Sequence, residues 1–266
     1  MKGFIIALLF VFAWSPSGGR APTDAEKGLA IAVEADRRDS GFGDISAELV
    51  MILRGRSGDE KTRELRSQVL ERADDGDRSL VVFESPADVK GTALLTFSHK
   101  TGDDDQWLYL PALKRVKRIG SSNKSGPFMG SEFAYEDLAS QEIEKFTYKW
   151  LRDEACPGGE YDSLKCFVIE QYPIDTDSGY SRQVVWIDQG EYRTVKVEYY
   201  DRKSSLFKTL VMKGYQQYLG RFWRAGEMLM DNQQTGKSTR LVWTQYKFRT
   251  GLTENDLSPQ ALTRVR

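Results

Sequence analysis

The stretch ISAELVMILR, residues 45–54, is where the chain changes its period. Ile45, Ala47, Leu49, Met51 and Leu53 fall on one side; Ser46, Glu48, Val50, Ile52 and Arg54 fall on the other. That period of two belongs to a strand. Just before it, the stretch TDAEKGLAIAVEADRRDSGFGD (23–44) opens with a helical period. Thr23 or Asp24 can cap the helix, Asp24 and Glu26 lie in its first turn, and Leu29, Ala32, Val33 and Asp36 mark a stripe. Gly41 and Gly43 end it.

Beyond residue 54 the strand pattern repeats. GRSGD (55–59) and DDGD (74–77) are turns around a strand at 62–72. Further strands are expected near 79–85, 92–98, 105–110, 144–152, 165–172, 181–188, 192–200, 205–213, 222–231 and 238–248. The turn-rich segments HKTGDDD, DTDSG, DQG, DRKSS and NQQTGKS separate most of them. Phe146, Tyr148 and Trp150 share a face opposite Lys145, Thr147 and Lys149, so one side of this sheet is aromatic. A dozen or so strands with hairpin links make an antiparallel meander: a barrel, a half-barrel or a sandwich. Ser258 and Pro259 start a short terminal helix.

The N-terminal MKGFIIALLFVFAWSPSGG, residues 1–19, has a basic Lys2, an apolar run and small residues at its end. It reads as a secretory signal peptide, too short for a spanning helix of about 20 residues. Residues 20–266 then form one domain. In an exported chain the pair Cys156 and Cys166, around a Pro157-Gly158-Gly159 turn, reads as a structural disulfide, since redox C-x-x-C spacing is absent.

Charge excludes some functions. Lys and Arg total 38 against 39 Asp and Glu, so no basic excess favours nucleic acid. His99 is the only imidazole, which disfavours zinc sites and hydrolase triads. TGKST (235–239) has Asp231 where a phosphate-binding loop needs its first Gly, and is read as a hairpin turn. GDDD (102–105) lacks a calcium loop's glycine hinge. Glu132, Glu136 and Asp137 are read as the wet face of a short helix ahead of an acid–base group. No catalytic residue, metal or cofactor is assigned. ALKRVKRIG (112–120) has two open readings: a patch for phosphate head groups, or a strand whose Val116 and Ile119 pack while Lys114, Arg115, Lys117 and Arg118 stay in water.

PADVKGTALLTF (86–97), QWLYLPALKRVKRI (106–119), GPFMGSEFAYEDL (126–138) and YKFRTGLTENDLSPQAL (246–262) together resemble the LolA-like outer-membrane lipoprotein-sorting proteins, in the branch found with RND/MMPL-type exporters. The resemblance implies a mainly β fold: a strongly curved antiparallel sheet of about 11–12 strands, forming an unclosed half-barrel with an N-terminal helix and short helical lids. It also implies a non-enzymatic, monomeric periplasmic carrier of lipid acyl chains or lipoprotein anchors, with an RND/MMPL-type transporter as partner. The other expectation is an accessory protein that docks peptide or protein on the same sheet.

On the carrier reading the cavity residues are Leu95, Phe97, Trp107, Tyr109, Phe146, Tyr148 and Trp150, with strand parity deciding the face. GPFMGSEFAYEDL, too apolar for a loop, becomes a cover. Ser131 caps a short helix that places Ala134, Tyr135 and Leu138 on one face, Phe128, Met129 and Phe133 join the lipid-facing set, and Gly126 and Gly130 are hinges.

Overall fold

The computed structural model describes residues 20–264; the expected signal peptide, residues 1–19, lies outside them. Helix α1 (Asp24–Asp39) is followed by β1 (Asp44–Arg54), β2 (Glu60–Leu70), β3 (Arg78–Ser85), β4 (Ala93–Phe97), β5 (Asp105–Leu110) and β6 (Arg115–Ile119). A long connection leads to β7 (Phe146–Ala155), β8 (Lys165–Pro173), β9 (Tyr180–Asp188), β10 (Thr194–Asp201) and β11 (Leu206–Lys213). The chain ends with β12 (Gln216–Tyr218), β13 (Phe222–Arg224), β14 (Glu227–Asn232), β15 (Ser238–Phe248) and α2 (Pro259–Leu262).

Among the described residues, thirteen strands form one antiparallel sheet in the order β6-β5-β4-β3-β2-β1-β15-β14-β11-β10-β9-β8-β7. It does not close, since β6 and β7 are its two edges. β12 and β13 form a separate hairpin inserted between β11 and β14. The expected run at 222–231 is therefore two strands. They part at Gly226, whose N–H turns to Lys213 O and Gly214 O at 3.0 and 3.1 Å. The basic 115–119 segment is a strand: Ile119 is buried, Val116 is half-buried against neighbouring apolar residues, and Arg118 pairs with Asp105.

Register assigns the faces. Leu49 lies opposite Leu65, Leu94 opposite Leu108, Ile169 opposite Val185, and Leu210 opposite Met230. All join one buried cluster with Ile31 and Ala32 of α1. This is the inner face of the curved sheet. The outer face carries two smaller clusters. Leu80, Val82, Ala93 and Leu95 pack under Leu257 and Leu262 of the C-terminal segment. Val168, Val184 and Trp186 pack with Cys156, Tyr161 and Cys166. The expected disulfide is formed, with its Cα atoms 5.0 Å apart, and it ties the end of β7 to the start of β8.

Helix α1 starts at a capping box: Glu26 N–H donates to Thr23 Oγ1, and Thr23 N–H donates to the Glu26 carboxylate. Its buried face is Gly28, Ile31 and Ala32; Leu29 and Val33, expected to face inward, are 44 and 45 % exposed. The helix is rotated because Gly28 sits directly on β7. A Cβ there would meet Trp150 N at 2.7 Å. Lys27 beside it lies over the Trp150 ring, 3.4 Å from its centre.

Candidate functional site

Because β6 and β7 are consecutive in the chain but at opposite sheet edges, their connection must span the inner face. Residues 120–145 do this in short turns. The expected helix capped by Ser131 is absent. Its place is taken by separate 3-10 turns at Phe128–Gly130 and Tyr135–Leu138, with Pro127 bridged to Ala134. Phe128 N–H donates to Phe133 O at 2.7 Å, closing a small loop. Met129 and Gly130 turn through positive φ (49° and 78°), a conformation that only glycine adopts without strain.

The loop drives its apolar side chains into the sheet. Phe128 is fully buried, 5.6 Å from the Phe83 ring and 5.7 Å from the Tyr135 ring. Phe133 and Ala134 are buried as well. Met129, Tyr135, Leu138, Phe146 and Trp150 are half-buried against the same cluster, and Tyr148 is buried within it. The structure thus brings together eight of the expected cavity residues.

It does not bring in the other four. Leu95, Phe97, Trp107 and Tyr109 face outward, in the cluster under Leu257 and Leu262. On these strands the inner positions belong to Leu94, Thr96, Gln106 and Leu108. Here the expected face is corrected. Residues 93–96 of β4 are buried on both sides, so alternation is erased, and the large aromatics of β5 pack beneath the C-terminal tail.

Polar side chains also hold the spanning segment. Arg63 donates to Met129 O at 2.7 Å, and Glu132 N–H donates to Thr239 Oγ1 at 2.9 Å. Asn232 Nδ2 donates to the Glu132 carboxylate at 2.6 Å, and Gln106 Nε2 to Tyr135 O at 2.9 Å. Gly179 N–H and Ser178 Oγ donate to Glu136 at 2.8 and 2.7 Å. The Tyr180 hydroxyl donates to Asp137 at 2.9 Å, and Lys208 Nζ donates to the Tyr180 oxygen at 3.3 Å. The carboxylates expected to form a wet face thus point inward as anchors. Burial pushes the Asp137 carboxyl up to about 6, with Lys208 and the hydrogen bonds from Ala134 and Tyr180 opposing the shift. Burial also raises the phenols of Tyr180 and Tyr199 well above their ordinary value.

Sequence reading missed these anchors. The available signal was a polar residue at an inward position, as Gln106 in β5, Lys208 in β11 and Thr239 in β15 all are. Of the expected hinges, Gly130 has open space where a side chain would stand, while a Cβ on Gly126 would lie 3.1 Å from Asn123 O. His99 is a structural hydrogen-bonding residue. It reaches Asp75 at 2.7 Å, which raises its affinity for a proton, and Asp105 at 3.4 Å.

Beside Met129, the end of the inner face opens into a cavity of about 780 Å³ between the β1–β2 hairpin and the β14–β15 turn.

A family model described as "Uncharacterized protein" matches residues 75–264. A search of curated proteins finds no match. Among solved structures, a domain from Vibrio parahaemolyticus, provisionally assigned as an outer membrane lipoprotein-sorting protein, is 55% identical, with TM-score 0.87. The match covers 90% of this chain and all (100%) of that one. A DUF1329 family protein from Desulfovibrio piger is 30% identical, with TM-score 0.84, over 91% of this chain and 100% of that one. A LolA superfamily protein from Nitrosomonas europaea shares the fold at 21% identity and TM-score 0.69, over 91% of this chain and 100% of that one. At 55% and 30% identity over the full length of the first two, this chain belongs to the family of outer-membrane lipoprotein-sorting proteins, and its unclosed sheet is LolA-like in fold.

Proposed function

We propose that the protein is a non-catalytic periplasmic carrier that shelters an acyl chain, of a lipid or of a lipoprotein anchor, on its inner face, with residues 126–138 as a cover. The observation that carries this reading is how the inner face is filled. It is not closed by a further strand but by a loop that packs apolar side chains on the inner cluster and is otherwise tied to the sheet by side-chain hydrogen bonds. Each is worth about 1 kcal/mol net, and more where a charge takes part. Such ties can be exchanged for cargo one at a time.

A chain of about sixteen carbons needs roughly 12 kcal/mol of apolar shelter. Displacing Phe128, Met129, Phe133, Tyr135 and Leu138 would offer cargo the surface they now cover, with Phe146, Tyr148 and Trp150 lining the wall beside α1. Gly126 and Gly130 would serve as the hinges of the cover. The protein acts as a monomer on this reading. A transporter of RND/MMPL type as donor or acceptor rests on the sequence resemblance alone, and crosslinking in cells tests it.

Lipid extraction and mass spectrometry of protein purified from the periplasm without detergent should recover a co-purifying acyl lipid. An empty protein that also ignores a fluorescent fatty-acid probe would sink the carrier reading. For the cover, Phe128→Ala/Met129→Ala should lose probe binding and speed amide exchange only within residues 126–141. Uniformly faster exchange, with a global loss of about 3–5 kcal/mol, would mark a fixed plug instead.

A further inference from the structure

The cavity at the β1–β2 hairpin is bordered by cations. On the inner face of β2 the side chains run from Leu65 to Arg63 and Lys61, opposite Met51 and Leu53 of β1. Arg54 and Arg56 at the hairpin and Lys237 of the β14–β15 turn complete the rim. Among the described residues these cations form no salt bridge. Outer-face arginines on the neighbouring strands do: Arg66 is paired with Glu84, and Arg240 with Glu227.

Two carboxylates, Asp59 and Glu132, share the cavity wall with these five cations, so the rim keeps a cationic excess, although Lys61 and Lys237 favour the charged form of Asp59. Asp59 accepts from Ser57 Oγ, and Glu132 accepts from Asn232. Arg63 is half-buried, and its one hydrogen bond, to Met129 O, uses a single N–H of the five its guanidinium offers. Burial lowers its proton affinity, with the charge of Asp88 opposing the shift. Leu53 and Met129 line the cavity and also pack against the inner apolar cluster. The cationic rim and the apolar face therefore meet without a gap.

We propose that this rim is a binding site for the anionic head, a phosphate or carboxylate, of the amphiphile whose chain the inner face shelters. The inference rests on the carrier reading and adds a head-group class to it. Solvated turn lysines would not need a cavity of this size, nor a half-buried guanidinium among them. A head that drew Arg63 away from Met129 O would also loosen the cover, so docking and opening would be coupled.

The test uses detergent-free protein and calorimetry below the micellar range. Dodecyl phosphate and laurate should bind about tenfold tighter than dodecyl maltoside, which has a chain of the same length and no charge. Arg56→Ala/Lys237→Ala, both exposed and outside the hydrogen bonds that hold the cover, should remove most of that preference and leave maltoside binding within twofold. Equal affinity for charged and uncharged heads would overturn the rim site while the carrier reading stands. Inorganic phosphate binding as tightly as dodecyl phosphate would make this a free-phosphate site and overturn the link to the acyl chain. No binding of any amphiphile would overturn the carrier reading and the rim proposal with it.

Discussion

At Gly28 a single missing carbon sets the position of a helix. An added Cβ would meet Trp150 N at 2.7 Å and Lys149 N at 2.8 Å, and a backbone in a paired strand cannot yield. Gly28→Ala should therefore lift α1 from β7 and cost about 1–3 kcal/mol, read from a urea transition. A cost near zero would show that the helix tolerates a shifted seat. The helix itself was legible from Thr23, Glu26 and the apolar spacing. Its inward face was not, because a glycine adds nothing to an apolar stripe. Leu29 and Val33 looked like the contact, yet the close approach goes through the residue with no side chain.

Elements show the same division between local pattern and tertiary partner. The strands β1 and β7 were legible because residues of one kind recur at every second position there. β4 was legible as a strand but not as to face, since its two sides are covered by different parts of the chain. The Cys156–Cys166 loop was legible as a bridge, but its packing over Val168, Val184 and Trp186 was not. Closing a loop with sequence separation 10 stabilises by about 3 kcal/mol on the chain-entropy view. Cys156→Ser/Cys166→Ser should lower the urea midpoint by a corresponding amount and leave the apolar inner cluster intact. Loss of fatty-acid probe binding in a variant that remains folded would tie the loop to cargo instead.

For the whole molecule, the meeting of separate elements creates a pH response. Asp36 of α1, Asp77 before β3 and Glu142 before β7 repel one another at partly buried positions. Burial is the main cause of their raised proton affinity, with Asp77 pushed up to about 6 and Glu142 to about 7. The folded state then holds protons that the unfolded chain has released. Stability should fall as pH rises from about 4.5 to 7 and level off above that. Glu142→Gln should raise the melting temperature at pH 8, by about 2–4 °C per kcal/mol recovered, and leave it nearly unchanged at pH 4.5. An equal effect at both pH values would refute the linkage. None of this was legible in the sequence, where the three acids lie far apart and look like surface residues.

The order of the sheet carries one further consequence. β1 lies at its middle, and on one side its partner is the last strand of the chain, with Ile45 opposite Phe248. A β1 that forms early must therefore wait, with one row of backbone amides and carbonyls unpaired, until residues 238–248 are available to pair with it. Contacts this distant in sequence make folding slow. The waiting edge is also the place where another chain can add itself by mistake. A chain halted before β15 is thus a substrate for chaperones or proteases, and adding β15 completes the sheet.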